Sequence, residues 1–325
     1  MIIDPYNLAS GFLAEWHDDK PFITAHSSGS TGTPKEIRLL KTDMETSARA
    51  TCRFFGINRD SVLVLPLSTD YIAGKMMVVR ALVSGATLHI MRPGRSVDIS
   101  PFSHIDLLPI VPSQIEHILA SEHIGNVSNL LIGGAAVSPV QETELLRHKV
   151  NAYVSYGMTE TCSHVALRKI GNDTPYESLP GITFSTDSRG CLVITMPQFS
   201  CRELITNDIV DLCDATHFQW KGRFDNVINS GGVKLHPEEI ERQLAGIIDR
   251  PFYITGVPDP LWGEIAALYI EGKGSASDGD KIIEKARGIL KRYHVPKKVF
   301  FIDEFVRTSS GKIKRIAFQN PPHKN

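Results

Sequence analysis

Hydrophobic positions follow two alternating patterns along the first half of the chain. Short continuous apolar runs, such as those at residues 61–66 and 129–132, predict buried strands. Between such runs, apolar residues recur every three or four positions, as they do at residues 42–55, and predict amphipathic helices. Gly56 and Gly85 follow two of these helical stretches, at positions where glycine commonly ends a helix. The alternation predicts a largely parallel α/β sheet with helices on both of its faces.

The pattern changes twice in the second half of the chain. After about residue 175, short β-prone stretches at residues 190–195 and 203–212 alternate with turns and predict a small β-rich segment. Past residue 232, an acidic helix start, two strand-like stretches and an apolar helical face from Asp280 to Tyr293 predict a separate small α+β domain. Residues 272–279, which are rich in glycine and serine, are expected to form a surface loop before that last helix.

These patterns together predict the fold class and the domain organisation. We expect a large N-terminal α/β domain with a small β-rich segment at residues 1–224, followed by a smaller, mobile α+β domain at residues 225–325. The boundary is expected within residues 223–232, where polar residues and glycines separate the two hydrophobic patterns.

The composition limits the class of protein. The 325 residues are 42% hydrophobic and 22% charged, as in ordinary globular proteins, and the net charge of −1 gives no pull towards nucleic acid or an anionic membrane. The N-terminus lacks the basic and apolar segments of a signal peptide, and Lys75 and Arg80 interrupt the most apolar stretch, so we expect no membrane span. Five cysteines without a C-x-x-C pair indicate free thiols in a reducing, cytoplasmic compartment.

A loop rich in glycine and hydroxyl residues lies between two predicted strands at residues 26–35, and Lys35 ends it. Such a loop can turn several backbone N–H groups and hydroxyls towards one point and add a cation, which makes an anion cradle. The loop is not a Walker A motif, because Pro34 stands where that motif needs its second glycine. The alternative is a surface turn, because serine, threonine and glycine are the commonest loop residues.

Other stretches carry chemically useful residues, and each has a plain structural alternative. Residues 156–160, Tyr-Gly-Met-Thr-Glu, follow a predicted strand and offer an aromatic face and an oxygen ligand for Mg²⁺, or they merely begin a helix. Asp208, at a strand end, could accept hydrogen bonds from a ribose diol or be an ordinary exposed turn residue. Arg223 and Asp225 suit a phosphate contact and a hinge, or are ordinary linker residues. The basic stretch at residues 308–315 is a phosphate-binding patch or a solvated tail.

The order of these stretches resembles the acyl-adenylate-forming superfamily of acyl-CoA synthetases, peptide-synthetase adenylation domains and luciferases. The resemblance runs from Ser27 to Arg315, about nine-tenths of the chain. Within that superfamily, residues 156–164 and 65–80 look most like the o-succinylbenzoate–CoA ligases of menaquinone synthesis. The resemblance implies a ligase that converts a small carboxylic acid and ATP to acyl-AMP and then transfers the acyl group to coenzyme A, with Mg²⁺ as the metal. The resemblance is compatible with a homodimer.

The resemblance also implies roles for individual residues. Lys312 would bridge the substrate carboxylate and AMP, Arg223 would help to hold the nucleotide, and Glu160 would bind Mg²⁺. Asp225 would be the hinge about which the small domain rotates to admit the thiol, and Gly232 would lie beside the pantetheine tunnel. The residues expected to bind ATP are Ser27, Ser28, Gly29, Ser30, Thr31, Gly32, Lys35, Gly133, Gly134, Ala135, Tyr156, Gly157, Thr159 and Asp208.

The acyl substrate is expected to contact Tyr71, Lys75, Arg80, Ser163 and His164. Lys75 and Arg80 are the candidates to pair with a second carboxylate such as that of o-succinylbenzoate, because an unpaired buried charge is costly. The alternative for both is a surface cation that snorkels from a helix.

Some features depart from the family pattern. Only about 25 residues precede the phosphate loop, whereas family members usually carry a longer N-terminal region, so we expect a reduced large domain. Asn207 replaces the usual glycine before the ribose aspartate, and residues 68–71 replace the Phe-His pair beside the acyl pocket of many relatives. The acid therefore stays open between an aryl keto-diacid and another aryl or fatty acid. A non-catalytic adenylate-binding module is the alternative from a different class, and the presence of all the charged site residues argues against it.

Overall fold

The computed structural model describes residues 1–26, 36–171, 174–307 and 313–318. Helices and strands alternate in the first half of the chain as the hydrophobic pattern predicts, and strands dominate afterwards. Within the described ranges the α-helices are α1 (Ser10–His17), α2 (Lys41–Phe55), α3 (Ile72–Ser84), α4 (Ile115–Leu119), α5 (Pro139–Arg147), α6 (Pro237–Leu244) and α7 (Ala276–Arg287). The strands are β1 (Ile2–Ile3), β2 (Phe22–His26), β3 (Glu36–Leu40), β4 (Val62–Leu65), β5 (Thr87–Ile90), β6 (Leu108–Ile110), β7 (Leu130–Ile132), β8 (Ala152–Gly157), β9 (His164–Lys169), β10 (Tyr176–Ser178), β11 (Thr183–Thr186), β12 (Cys191–Thr195), β13 (Glu203–Leu212), β14 (His217–Arg223), β15 (Ile228–Ser230), β16 (Val233–Leu235), β17 (Phe252–Asp259), β18 (Gly263–Glu271) and β19 (Lys298–Ile302).

Parallel strands form one half of the large domain. β1, β5 and β4 pair in that order, and β6, β7 and β8 pair in theirs. The two sets join where Leu107, just before β6, pairs with Leu63 of β4. Alternate residues of β4 face opposite sides, so Leu63 and Leu65 enter the core with α2 and α3 whereas Val64 enters the core with α4 and α5. Helices therefore cover both faces of this half, as the sequence predicts.

The sheet continues beyond β8 as antiparallel strands in the order β9, β10, β14, β13, β12 and β11. The sequence pattern treats these strands as a small separate segment, but they extend the main sheet, because the chain after β8 turns straight back instead of crossing over in a helix. Tyr156 of β8 and Asp208 of β13 are four strand spacings apart, about 19 Å in a flat sheet. Their side chains are nevertheless hydrogen-bonded at 2.7 Å. The sheet therefore curls strongly and brings its two halves together at the site described below.

The C-terminal domain is built on its own sheet, in the order β16, β15, β18 and β17, with β19 parallel to β18. One face packs on α6 and α7 through a core that includes Ile240, Leu244 and Ala286. The other face carries Tyr253 and Tyr269 and is covered by a separate hydrophobic cluster that includes residues of the segment 313–318.

Helix α7 begins and ends earlier than the sequence predicts. It starts at Ala276, because the Ser275 hydroxyl caps the Asp278 N–H at 3.2 Å and the Asp278 carboxylate accepts from the Ser275 N–H at 2.9 Å. The second half of the expected surface loop, residues 276–279, is thus helix. The helix ends at Arg287, and Tyr293 lies outside it and is exposed. In the part of the chain that the structure describes, no helix is long and apolar enough to cross a membrane.

Candidate active site

The carboxyl ends of β7 and β8 lie side by side at one edge of the sheet, where ligands bind in α/β proteins. Residues 133–135 follow β7 directly, and Gly157 ends β8. A Cβ added at Gly133 would lie 2.8 Å from Ser155 Oγ, and one at Gly157 would lie 2.3 Å from the Ser163 carbonyl oxygen. The two segments, both of which the family resemblance assigns to ATP, therefore lie side by side, and a side chain at Gly133 or at Gly157 would clash with a neighbouring atom.

Asp208 is a buried carboxylate whose charge the protein itself balances. The Tyr156 hydroxyl donates to its Oδ2 at 2.7 Å, Trp220 Nε1 donates to its Oδ1 at 3.3 Å, and Arg223 Nη1 lies 3.7 Å from Oδ1. Burial, and then the neighbouring Asp208 charge, raise the pKa of Tyr156 well above its usual value, so the hydroxyl keeps the proton that it donates. Only 6% of Asp208 is exposed, which excludes the alternative of an ordinary exposed turn residue.

The ring of Tyr156 is fixed by other aromatic rings. It meets the ring of Phe218 at a centroid distance of 5.1 Å and that of Tyr176 at 5.7 Å, both edge to face. Tyr176 and Phe218 stack on each other at 5.2 Å. Such pairs favour one ring orientation, so the ring plane of Tyr156 is set before any ligand binds.

A single 3₁₀ turn, Thr159–Thr161, follows β8 and carries the exposed side chain of Glu160. Thr161 is fully buried, and its hydroxyl accepts from the Met158 N–H at 3.0 Å and lies 2.6 Å from the Ser163 carbonyl oxygen, to which it donates. One buried hydroxyl thus clamps the turn from inside and holds Glu160 at the edge of the sheet.

The donor set at this turn can be tested against a Mg²⁺ ion. Among the described residues, no group of three or more His, Cys, Asp or Glu side chains could hold a metal. Mg²⁺ usually keeps several waters and is bound by one or two carboxylates plus substrate phosphates. The exposed carboxylate of Glu160 fits that requirement, so the site suits a Mg²⁺ ion held mainly by a nucleotide's phosphates.

Arg80 of α3 is a second buried charge, and it lies behind the turn. It is 2% exposed, and its Nη2 donates to Ser163 Oγ at 2.8 Å. Its Nε lacks a hydrogen-bond partner, and no carboxylate among residues 1–26, 36–171, 174–307 and 313–318 pairs with it. Burial lowers the pKa of Arg80 to about 10, so the guanidinium still carries its charge at neutral pH.

A short hydrogen-bond chain leads from Arg80 to Ser47, and its direction is set at the Ser47 end. Thr51 donates its one proton to the Ser47 carbonyl oxygen at 3.2 Å, so Thr51 Oγ1 accepts from His164 Nε2 at 3.1 Å. Burial, and then the Arg80 charge, lower the pKa of His164 well below its usual value, so the ring is neutral and its Nδ1 carries no proton. Ser163 Oγ, which accepts from Arg80, therefore donates to His164 Nδ1 at 3.2 Å.

Lys75 and Tyr71, also expected at the acyl substrate, are not brought to Arg80. Lys75 Nζ lies 3.5 Å from Glu15 Oε2 and 4.8 Å from the centre of the Phe12 ring, on a different side of α3. Tyr71 precedes α3 and is 65% exposed. The alternative of snorkelling surface cations is excluded for both Lys75 and Arg80, because both side chains are buried.

The expected hinge residue, Asp225, lies close to Asp208. The Asp225 carboxylate accepts from Arg223 Nη2 at 3.2 Å and from Asn207 Nδ2 at 3.3 Å. Arg223 therefore links Asp225 to Asp208. Gly232 lies in the turn between β15 and β16, where a Cβ would meet no atom within 4 Å.

Several expected site residues fall outside the described residues. They are Ser27, Ser28, Gly29, Ser30, Thr31, Gly32, Lys35 and Lys312. Strands β2 and β3, on either side of the first stretch, pair antiparallel from Phe22–Leu40 to His26–Glu36. This hairpin agrees with the predicted arrangement of a loop between two strands.

Sequence reasoning missed Trp220, Thr161 and Thr51. Trp220 lies two positions after the buried Phe218 on β14, so an alternating pattern could have placed both on one face. Thr161 belongs to a stretch already singled out, but nothing in the sequence marks it as buried. Thr51 interrupts the apolar stripe of α2, four residues after Ser47. That interruption is the only sign in the sequence that Thr51 has a polar partner, which is His164.

Comparison with known proteins defines the class. Residues 10–189 match the AMP-binding enzyme family, and residues 252–312 match the AMP-binding enzyme C-terminal domain. The chain therefore belongs to the AMP-binding enzyme family.

Relatives of known activity are acid–CoA ligases. The 2-succinylbenzoate–CoA ligase of Staphylococcus epidermidis (strain ATCC 12228) is 24% identical over 323 residues, which cover 89% of this chain and 67% of the relative. The indoleacetate–CoA ligase of Aromatoleum aromaticum is 26% identical over 339 residues, which cover 91% of this chain and 66% of the relative. Acids of different structure thus occur among relatives at similar distance.

Solved structures share the fold. The acyl-CoA synthetase (AMP-forming)/AMP-acid ligase II-like protein of Dyadobacter fermentans is 32% identical, with a TM-score of 0.63 over 96% of this chain and 93% of its own. The o-succinylbenzoate CoA synthetase of Bacillus subtilis, in complex with its acyl-adenylate intermediate, has a TM-score of 0.76 at 20% identity, over 90% of this chain and 67% of its own. That Bacillus enzyme has also been solved with ATP and a magnesium ion. The Dyadobacter chain is of similar length to this one.

Proposed function

We propose that this chain is an AMP-forming acid–CoA ligase. It joins a carboxylate to ATP as acyl-AMP and releases pyrophosphate, then transfers the acyl group to coenzyme A and releases AMP. The observation that carries the proposal is the cluster of Asp208 with Tyr156, Trp220 and Arg223, called here the Asp208 cluster. It places a buried, charge-balanced carboxylate beside the fixed ring of Tyr156. Membership of the AMP-binding enzyme family supports it.

In this proposal the Asp208 cluster binds the nucleoside. The ring of Tyr156 and residues 133–135 enclose adenine, and Asp208 accepts from the ribose hydroxyls. Asp208 Oδ1 is available for this, because its protein partners lie at 3.3 and 3.7 Å and leave lone pairs unused. Arg223, which bridges Asp208 and Asp225, holds the nucleotide from the side of the hinge.

The phosphates and the reacting carboxylate need groups that balance moving charge. The loop of residues 27–32 and Lys35 would hold the phosphates, and Thr159 would contact the α-phosphate. Glu160 would hold Mg²⁺, which supplies charge stabilisation for the leaving pyrophosphate. Lys312 would lie between the carboxylate and the α-phosphate, where two anions must approach. Losing one such contact typically lowers the rate about 10²–10³-fold.

Thioester formation needs the same carbonyl open to a thiol. Rotation of residues 225–325 about Asp225 would take Lys312 away and bring Gly232 to the pantetheine path. The open space around Gly232, which a side chain would narrow, supports this role.

For the acid, we propose an aryl acid with a second carboxylate, of which o-succinylbenzoate is the first choice. Arg80 is a buried cation without a counter-ion in the described part of the chain, and it contacts Ser163 directly behind the turn that carries Glu160. A second carboxylate would neutralise that charge. Relatives that act on indoleacetate and ferulate keep other aryl acids as the alternative.

Pyrophosphate release with ATP and Mg²⁺ tests both the proposed ligase activity and the proposed acid. The acids would be o-succinylbenzoate, indoleacetate, ferulate and a medium-chain fatty acid, each with and without coenzyme A. Release with o-succinylbenzoate, coupled to thioester formation, is expected. Brisk release with another acid alone would overturn the substrate assignment, and tight ATP binding without release with any acid would indicate a non-catalytic adenylate-binding module.

A further inference from the structure

Three side chains fasten the segment 313–318, which directly follows Lys312 in the sequence, to the C-terminal domain. They are Arg315, Tyr253 and Tyr269. We propose that Arg315 and its partner Glu241 are positioning residues, which set where Lys312 is presented during adenylation. The inference rests on the proposed function and deepens it.

Arg315 reaches down to helix α6 and strand β17. Its Nη2 donates to Glu241 Oε2 at 2.7 Å, and its Nη1 donates both to Glu241 Oε1 and to the Ile254 carbonyl oxygen, the latter at 2.8 Å. Glu241 Oε1 in turn accepts from the Ile254 N–H at 2.6 Å. The two-point fork between guanidinium and carboxylate permits one orientation of the pair, unlike a single contact.

The remaining contacts of the segment could also form if the segment were shifted along the sheet, so they do not fix its register. The hydroxyl of Tyr253 donates to the Ile316 carbonyl oxygen and that of Tyr269 to the Phe318 carbonyl oxygen, both at 2.8 Å. Every residue offers such a carbonyl oxygen. Ile313 and Phe318 pack on an apolar face, where a shifted apolar residue would also be accepted. Arg315 is therefore the one contact among the described residues of this segment that sets its register.

The register of the segment controls the position of the residue before it. A shift by two residues in an extended chain moves every position by about 6.6 Å. Lys312 precedes Ile313 directly, so it would move with the segment. Misplacement of a reacting group by even 1 Å can cost about 10²-fold in rate.

The segment is also tied on the other side of residues 308–312 and towards the hinge. Arg307 forms a fork with Glu271 at 2.6 and 2.8 Å, and the Lys314 N–H donates to the Val306 carbonyl oxygen at 2.8 Å, so the flanks lie side by side. Arg315 Nη2 further lies 3.5 Å from Glu238 Oε1, which accepts from Asn226 Nδ2 at 2.5 Å. Asn226 follows the expected hinge residue, which connects the fork to the point of rotation.

The two half-reactions separate positioning from simple support of the fold. Glu241→Gln and Arg315→Met would be assayed for pyrophosphate release with ATP, Mg²⁺ and the acid that the wild-type chain uses best. Thioester formation would be measured separately from the chemically prepared acyl-adenylate of that acid with coenzyme A. We expect adenylation to fall about 10²-fold in both variants, with thioester formation unchanged.

The matched control is Glu142→Gln, which breaks another partly buried fork, with Arg168 at 2.5 and 3.3 Å in the large domain. We expect Glu142→Gln either to change the rates of both half-reactions by the same factor or to change neither rate. Equal loss of both half-reactions in the Arg315 and Glu241 variants, or undiminished adenylation, would overturn the inference.

A milder variant keeps the inference testable if those two do not fold. Tyr253→Phe removes only the hydroxyl that holds the Ile316 carbonyl oxygen, so a smaller fall in adenylation alone is expected. A folded Tyr253→Phe variant with no difference between the half-reactions would then decide against the inference. Absence of pyrophosphate release from the wild-type chain with every acid would instead contradict the proposed function itself.

Discussion

Two buried charges, Asp208 and Arg80, contact residues on either side of the Thr159–Thr161 turn, Tyr156 and Ser163, and they differ in how their charge is balanced. Asp208 is surrounded by a hydroxyl, an indole N–H and a guanidinium, so its charge is balanced before any ligand arrives. Arg80 donates to one hydroxyl, and no carboxylate in the described part of the chain pairs with it. In the proposed function, the nucleotide side of the site would be preorganised, whereas the acyl side would be completed by the second carboxylate of the acid.

The largest effect is expected where the balanced charge is removed. Asp208→Asn keeps the shape of the side chain but loses the charge that Arg223 and the ribose would share, so we expect kcat/KM for ATP to fall about 10²–10³-fold. The control is Asp211→Asn on the same strand, which breaks an exposed pair with Lys221 at 2.8 Å and should leave activity unchanged. Similar losses in both variants would show that the effect belongs to the strand and not to Asp208.

Removing the unbalanced charge should not destabilise the fold. In Arg80→Met the buried cation disappears, so we expect the free energy of unfolding to stay level or rise, by up to about 4 kcal/mol. Activity with o-succinylbenzoate should fall about 10²-fold while any activity with an aryl monoacid persists. Urea unfolding and the pyrophosphate assay measure the two quantities on the same sample.

A destabilised Arg80→Met variant that uses mono- and diacids equally well would contradict the comparison. Met77→Leu, at a fully buried position of the same helix, controls for repacking of α3 and should change neither selectivity nor stability by more than about 1.5 kcal/mol.

The hydrogen-bond chain behind Arg80 should appear in the pH dependence of stability. The pKa of His164 is lowered by burial and by Arg80, so below about pH 6.5 the unfolded chain binds a proton that the folded chain does not. The stability associated with His164 is therefore complete above that pH and is lost as the pH falls, by at most about 1.4 kcal/mol per pH unit. His164→Gln should flatten this slope in urea unfolding between pH 5 and 7.5.

His117→Gln, at an exposed position of α4, is the matched control and should keep the wild-type slope. If His164→Gln kept that slope as well, His164 would not be the neutral group that the chain of donors requires.

The contrast between the two charges also shows what could be read from the sequence. Tyr156 and residues 133–135 were found because each lies at the end of a predicted strand, and strand ends converge at one edge of a sheet. Asp208 was expected at a strand end as well, but this was wrong: it is the sixth of the ten residues of β13 and pairs with Arg223 of β14. The contact of Tyr156 with Asp208 across four strand spacings depends on the curl of the sheet, which no local pattern encodes. The roles of these residues, and the expected domain boundary, stay predictions.

On the acyl side the sequence could name candidates but not separate them. Lys75 and Arg80 both interrupt an apolar helix, and only the packed structure shows that Glu15 pairs with one while the other lacks a carboxylate partner among the described residues. Burial of a long charged side chain depends on what packs over it, and that is a tertiary property. Trp220, a partner of Asp208, was missed for the same reason.

The smallest expected effect lies in the turn that separates the two charges. Thr161→Val keeps the volume but leaves the Met158 N–H and the Ser163 carbonyl oxygen without the hydroxyl, so we expect a loss of about 1–3 kcal/mol in the free energy of unfolding. Because the turn borders both sides of the site, KM for ATP and for the acid should rise together, by a factor of a few. Thr143→Val, which removes an exposed helical hydroxyl bonded to the Pro139 carbonyl oxygen at 2.9 Å, should change neither. A rise in KM for the acid alone would mean that the turn supports only the Arg80 side, and the two charges would then be independent of the element between them.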